Sequence, residues 1–244
     1  MSDVSSKIAS RPKIGWNPFA GVAIVLLLYI VSQIFGAIII GQLYGFMSIS
    51  DVTAQFLFVL VVEAITAGGL LYYLRSRKAK LTDIGFGKPK LKHVGIGLAV
   101  YVPYFIAFVA IIVLATQFIP ALNVDQKQEL GFDDVYSTSA LIMAFISLVV
   151  LPPIVEELAV RGLLFTSLRS RMNLLPTTLI TSFLFALAHF PAGGFIASID
   201  TFLLSLVLCV LRDKTGSLWP GITLHALKNG IAYFSLFIAP LLMS

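Results

Sequence analysis

Charge and cysteine are both scarce in this chain. Only 12% of its 244 residues are Asp, Glu, Lys or Arg, against about 25% in a soluble domain. The single cysteine, Cys209, rules out an intrachain disulfide, and no CxxC or Cys-rich pattern offers a structural metal site. The usual hydrolase signatures are also missing. There is no HExxH for zinc proteolysis, no GxSG-type serine elbow and no GxGD of the intramembrane aspartyl enzymes. The net charge of +5 does not mark a nucleic-acid binder, because the basic residues sit in short loops beside apolar runs. There they act as topology signals, and no nucleic-acid partner is expected.

Apolar runs dominate what remains. Hydrophobic residues make up 58% of the chain, and several runs exceed the roughly 20 residues a helix needs to cross a bilayer. The expected fold is an all-α polytopic helix bundle in the cell membrane. Its spans fall at about 18–41, 52–74, 94–118, 139–168, 174–190, 197–211 and 217–241. The run 139–168 is long for one straight crossing and contains Pro152-Pro153, which should break or kink it. The count is seven spans, or eight if that run divides in two. Residues 1–17 form an N-terminal segment. Residues 18–138 hold three spans without a recognisable motif, and 139–244 carry the polar motifs, all within one structural domain.

Basic residues orient the bundle. Three lie near the N-terminus (Lys7, Arg11, Lys13), seven between 75 and 93, two at Arg169 and Arg171, and two at Arg212 and Lys214. The loops assigned to the other side hold only Lys127, beside Asp125, Glu129, Asp133 and Asp134. This asymmetry predicts a cytoplasmic N-terminus, a cytoplasmic loop at 75–93 that lies partly on the anionic leaflet, and, for seven crossings, an outside C-terminus.

The spans contain polar residues that hydrocarbon does not tolerate cheaply: Glu63, Glu156, Glu157, Arg161, His189, Asp200, His225, Lys228 and Asn229. A charge at the bilayer centre costs at least about 2.5–3.5 kcal/mol. At 1.5 Å per residue, Glu156 lies roughly 20 Å from its basic boundary, His189 roughly 24 Å, His225 about 17 Å and Asn229 about 22 Å. Three spans thus bring these side chains to similar depth in a core about 30 Å thick, which points to one site. Glu157 and Arg161 are i, i+4, the favourable order for an ion pair. That pairing leaves Glu156, about 100° around the helix, without an intrahelical cation and free to accept and donate a proton. His225 and Asn229 share a face and could both donate to one developing oxyanion. Phe185 lies one turn before His189 on the same face. Together these are the parts needed for water to attack an amide.

Taken singly, each residue has a structural reading. Glu157–Arg161 alone fits an intramembrane brace, a lone membrane histidine fits an interhelical donor, and Asn229 alone fits helix glue. Glu63 and Asp200 are expected as partners for Lys228 or Arg161. The GSLWPG turn is expected to shape a helix start, with Trp219 anchoring at the interface. A non-enzymatic membrane scaffold or immunity protein would keep the constellation for stability alone. A proton-coupled transporter would call for an inverted repeat, and none is visible.

EELAVR fits EExxxR, FALAH fits FxxxH and HALKN fits HxxxN, in that order on three separate spans. Together they resemble the CAAX-protease and bacteriocin-processing intramembrane proteases, the type II CAAX prenyl endopeptidase-like family, over about residues 139–235. The resemblance implies that Glu156 activates water with His189 helping to hold it. It further implies that His225 and Asn229 stabilise the oxyanion and that Glu157 and Arg161 brace the site. Lys228 is not a motif position. The implied substrate is a membrane-associated or C-terminally presented peptide, or a membrane protein. The expected chemistry needs no metal. The alternative is zinc on Glu156, His189 and His225, a three-ligand set that would spend the carboxylate as a ligand and require another base.

Overall fold

The computed structural model describes residues 11–46, 48–118, 130–132, 135 and 137–243. Lys7, Lys127 and the acidic residues Asp125, Glu129, Asp133 and Asp134 lie outside the described residues. Among those described, seven helices are long and apolar enough to cross a membrane: α1 (Pro18–Phe46), α2 (Asp51–Ser76), α3 (Leu91–Phe118), α4 (Thr138–Arg169), α5 (Leu174–Pro191), α6 (Gly193–Thr215) and α7 (Trp219–Met243). The protein is an all-α, multi-pass bundle with no strand among its described residues.

Sequence sets most of the boundaries. Ser50 caps α2 by accepting from the Thr53 N–H, and Ser137 caps α4 by accepting from the Ala140 N–H. Gly216 ends α6 in the left-handed conformation at φ 66°. Helices α5 and α6 run together through one sharp bend at Gly194, whose φ of 61° and ψ of −153° only glycine adopts readily.

Helix α4 is the centre of the bundle. Near its C-terminal end Ala159, Leu163 and Leu164 pack with Val25 and Leu28 of α1 and Leu70 and Leu74 of α2. Near its start Ala140, Ala144 and Val149 pack with Val52 of α2 and Tyr233 of α7. A third cluster joins Tyr104 of α3 to Leu204, Leu208 and Leu211 of α6 and Leu224 of α7. The outer faces of α1 and α3 carry exposed Leu27, Ile34, Ile38, Val102, Ile106 and Val113, an arrangement suited to lipid and not to water.

Pro152-Pro153 neither breaks the fourth span nor divides it. Thr138–Arg169 is one crossing of 32 residues, and the strain is absorbed by wider π-helical turns at Ile146–Val150 and Glu157–Leu164. Proline supplies no N–H, so a register shift just before the pair lets the helix continue.

One end of the bundle gathers the basic residues and is tied across helices. Arg169 Nε meets Asp213 Oδ1 at 2.9 Å, Trp16 Nε1 donates to Ser167 at 2.9 Å, and the Leu218 N–H donates to the Gly85 carbonyl at 3.0 Å. Trp219 stacks on Phe86 with ring centroids 5.2 Å apart and donates its indole N–H to Gly87 at 2.7 Å. It therefore clamps the 85–87 turn onto the start of α7.

Candidate active site

Glu156 and Glu157 are neighbours in sequence and occupy different surroundings. The Glu157 carboxylate is 1% exposed and its Oε1 receives Arg161 Nη1 at 2.8 Å, with Arg161 at 0% exposure. Helix α7 presses directly on this pair, since a Cβ on Gly221 would lie 2.7 Å from Glu157 Oε2. The Arg161 guanidinium stacks 4.3 Å above the Phe185 ring. Glu156, by contrast, is 27% exposed. It faces a cavity of about 230 Å³ that His189, His225 and Asn229 also line, with room for several waters.

Phe185 ties the pieces together. Its carbonyl lies 2.8 Å from His189 Nδ1. A carbonyl can only accept, so Nδ1 carries the proton and Nε2 of a neutral ring keeps its lone pair. The same ring meets His189 edge-on at 4.6 Å and His225 edge-on at 6.1 Å. One aromatic side chain thus touches the brace and both histidines.

His225 sits between the two glutamates. Its Nε2 is 3.9 Å from Glu156 Oε2 and its Nδ1 is 3.7 Å from Glu157 Oε1, both too long for direct hydrogen bonds. Glu156 Oε2 and His225 Nδ1 are buried without a hydrogen-bond partner. Unmet polar atoms of this kind suit a water or substrate oxygen that arrives later.

Asn229 is held by the proline pair. Its Nδ2 donates to the Leu148 carbonyl at 2.9 Å. In an α turn that carbonyl would take the N–H of residue 152, and in a π turn that of residue 153, and both are proline. The orphaned acceptor therefore fixes the asparagine and uses one of its two amide hydrogens.

All four candidate residues from the sequence thus line one cavity, with Glu157 and Arg161 packed behind it. Among the described residues no three His, Cys, Asp or Glu side chains are grouped closely enough to hold a metal ion. Asp200 does pair with Lys228, at 2.7 Å. Glu63 has neither expected partner, because Lys228 is taken by Asp200 and Arg161 by Glu157. Two tyrosines escaped the sequence reading. Tyr104 of α3 donates to Asp200 Oδ1, and Tyr29 of α1 donates at 2.8 Å to the carbonyl of Ala188, the residue before His189. Depth along the helix would have found Tyr104, which lies about 20 Å from the start of α3, close to the roughly 22 Å that separates Asp200 from the end of α6.

Residues 138–231 match the family model described as type II CAAX prenyl endopeptidase Rce1-like. The three motifs all lie within the matched segment. No curated protein and no solved structure matches the chain.

Proposed function

From the family of the segment 138–231, we propose that the chain is a glutamate-type intramembrane endopeptidase. Its proposed substrates are membrane-associated or C-terminally presented peptides, or membrane proteins. A water held by Glu156 and His189 Nε2 gives a proton to the Glu156 carboxylate as its oxygen attacks the scissile carbonyl carbon. The carbonyl oxygen becomes an oxyanion and accepts from His225 and from the second amide hydrogen of Asn229. Glu156 then passes its proton to the amide nitrogen, the C–N bond breaks, and acid and amine products leave. Glu157 and Arg161 take no part in proton transfer. They neutralise each other and, through Phe185, hold both histidines in place.

The observation that carries this reading is the shared cavity. A partly exposed carboxylate, two histidines and an amide reach it from three segments far apart in sequence, with Glu156 Oε2 left unpartnered. The bond from Asn229 to Leu148 favours a second, purely structural role for that residue, and the two roles are compatible because the amide has two hydrogens. We place the protein in the cell membrane with its basic end in the cytoplasm. The mechanism needs no metal. Incubating the purified protein in lipid with a peptide library tests this, with products read by mass spectrometry. Cleavage that persists under a chelator in metal-depleted protein is the expected result. Stoichiometric zinc, with activity lost to the chelator and restored by zinc, would reassign Glu156, His189 and His225 as ligands.

A further inference from the structure

Helices α1 and α2 lie outside the matched segment 138–231, yet both pack on the helix that carries Glu156. Val52 of α2 packs with Ala140 and Ala144 of α4, and Leu70 and Leu74 of α2 pack with Ala159, Leu163 and Leu164. The two helices therefore run side by side in the same direction. Glu63, between those contacts, comes level with the Glu156 turn. Depth agrees, since Glu63 lies about 18 Å from Arg75 at the basic end and Glu156 roughly 20 Å from Arg169. The Glu156 charge reaches Glu63, and it also reaches Tyr29 of α1. Neither residue is in the cavity lining.

Two carboxyl groups that feel each other's charge in an apolar surrounding do not both ionise, and the pair holds one proton. The cations of the spans decide which member keeps the charge. His225, Arg161 and Lys228 all act on Glu156. Neither intramembrane cation pairs with Glu63, because Arg161 meets Glu157 at 2.8 Å and Lys228 meets Asp200 at 2.7 Å. The charge therefore belongs on Glu156 and the proton on Glu63. A neutral carboxylic acid can donate a hydrogen bond, which its ionised form cannot. Glu156 Oε2 lies 3.9 Å from His225 Nε2, which leaves Oε1 for a donor from α2.

We propose that Glu63 is a positioning residue for Glu156: it stays protonated and donates its O–H, across one bridging water, to the carboxylate that activates the attacking water. The proposal rests on the peptidase reading above and extends the site into the N-terminal spans. Glu63 keeps its proton through the cycle and touches neither the substrate nor the attacking water. It holds the base in one orientation, as a carboxylic acid kept neutral by its site can do. Losing that proton at high pH would turn the donor into a second negative charge beside the base. The titratable and charged groups around it are Tyr29 of α1 and Glu156, Glu157 and Arg161 of α4, with His225 and Lys228 of α7 beyond Glu156.

The test is peptide cleavage by the full chain in lipid, with kcat and KM followed from neutral to alkaline pH. Glu63→Met keeps the bulk and removes the donor. Its kcat should fall about tenfold, the size of one hydrogen bond to a charged group, with KM unchanged. Glu63→Gln keeps N–H donors and should recover most of the rate at neutral pH. It cannot ionise, so its activity should persist to higher pH than that of the wild type, which loses the donor as Glu63 gives up its proton. A merely structural Glu63 would not move that alkaline limb. Full kcat in a folded Glu63→Met protein overturns the proposal and leaves the peptidase intact. An alkaline limb shared by wild type and Glu63→Gln overturns it as well, whether or not Glu63→Met folds. So does a Glu63→Gln protein as slow as Glu63→Met. A wild type that cleaves no better than its Glu156→Gln form removes the peptidase reading and this proposal with it.

Discussion

Replacing Arg161 by alanine should unfold the site before it touches the chemistry. The guanidinium and the Glu157 carboxylate meet at 2.8 Å with essentially no exposure, and removing one partner of a buried pair costs about 3–5 kcal/mol because the other is stranded. The stacking on Phe185 at 4.3 Å is lost as well, which loosens the ring that contacts His189 and His225. At roughly 2–4 °C per kcal/mol for a chain of this size, the Arg161→Ala protein should melt about 6–20 °C lower in detergent. The apolar pair Glu157→Leu, Arg161→Met should recover most of that loss, since a well-packed apolar replacement of a buried ion pair is often neutral or better. Turnover should stay low in the double variant, because His225 loses the carboxylate beside its Nδ1. Thermal unfolding of wild type, single and double variants, read by tryptophan fluorescence, closes the cycle. A single variant that melts with the wild type would refute the brace. A double variant as weak as the single would assign the stability to the Phe185 stacking instead.

Asn229→Ala should cut kcat by on the order of 10²–10³ while leaving measurable turnover. It should also cost about 1–3 kcal/mol of stability, because the Leu148 carbonyl loses the Asn229 donor that stands in for the N–H groups the prolines lack; activity and unfolding measured on one preparation check both. Gly97→Ala should separate α3 from α7. The added Cβ would lie 2.6 Å from the Pro220 carbonyl oxygen and 2.7 Å from Thr223 Cβ, an overpacking cost of about 1–3 kcal/mol. Gly95→Ala, with nothing within 4 Å of its Cβ, is the neutral control in the same melting assay.

Local composition made the seven crossings legible, because each apolar run is bounded by charge, glycine or a capping serine. The run 139–168 left the count open between seven and eight for a physical reason. Proline removes donors, and sequence alone does not say whether the chain breaks or widens into π turns; here Ile146–Val150 and Glu157–Leu164 widen. The site was legible through depth, since Glu156, His189, His225 and Asn229 agree along three helix axes. Rotation about those axes was not. Sequence could not show that Asn229 spends a hydrogen on Leu148, that Lys228 pairs with Asp200 and not with Glu63, or that Tyr104 completes the Asp200–Lys228 pair. Each of these depends on which face one helix turns towards another.

The most direct test of the central claim is the rate of peptide cleavage by purified wild type beside Glu156→Gln, a change that keeps the shape and hydrogen-bonding outline of the side chain and removes its ability to take a proton from water. General-base catalysis is worth about 10²–10⁴ in rate, so the variant should fall by at least the lower figure while its melting temperature stays near that of the wild type. Cleavage by Glu156→Gln at the wild-type rate would contradict the account.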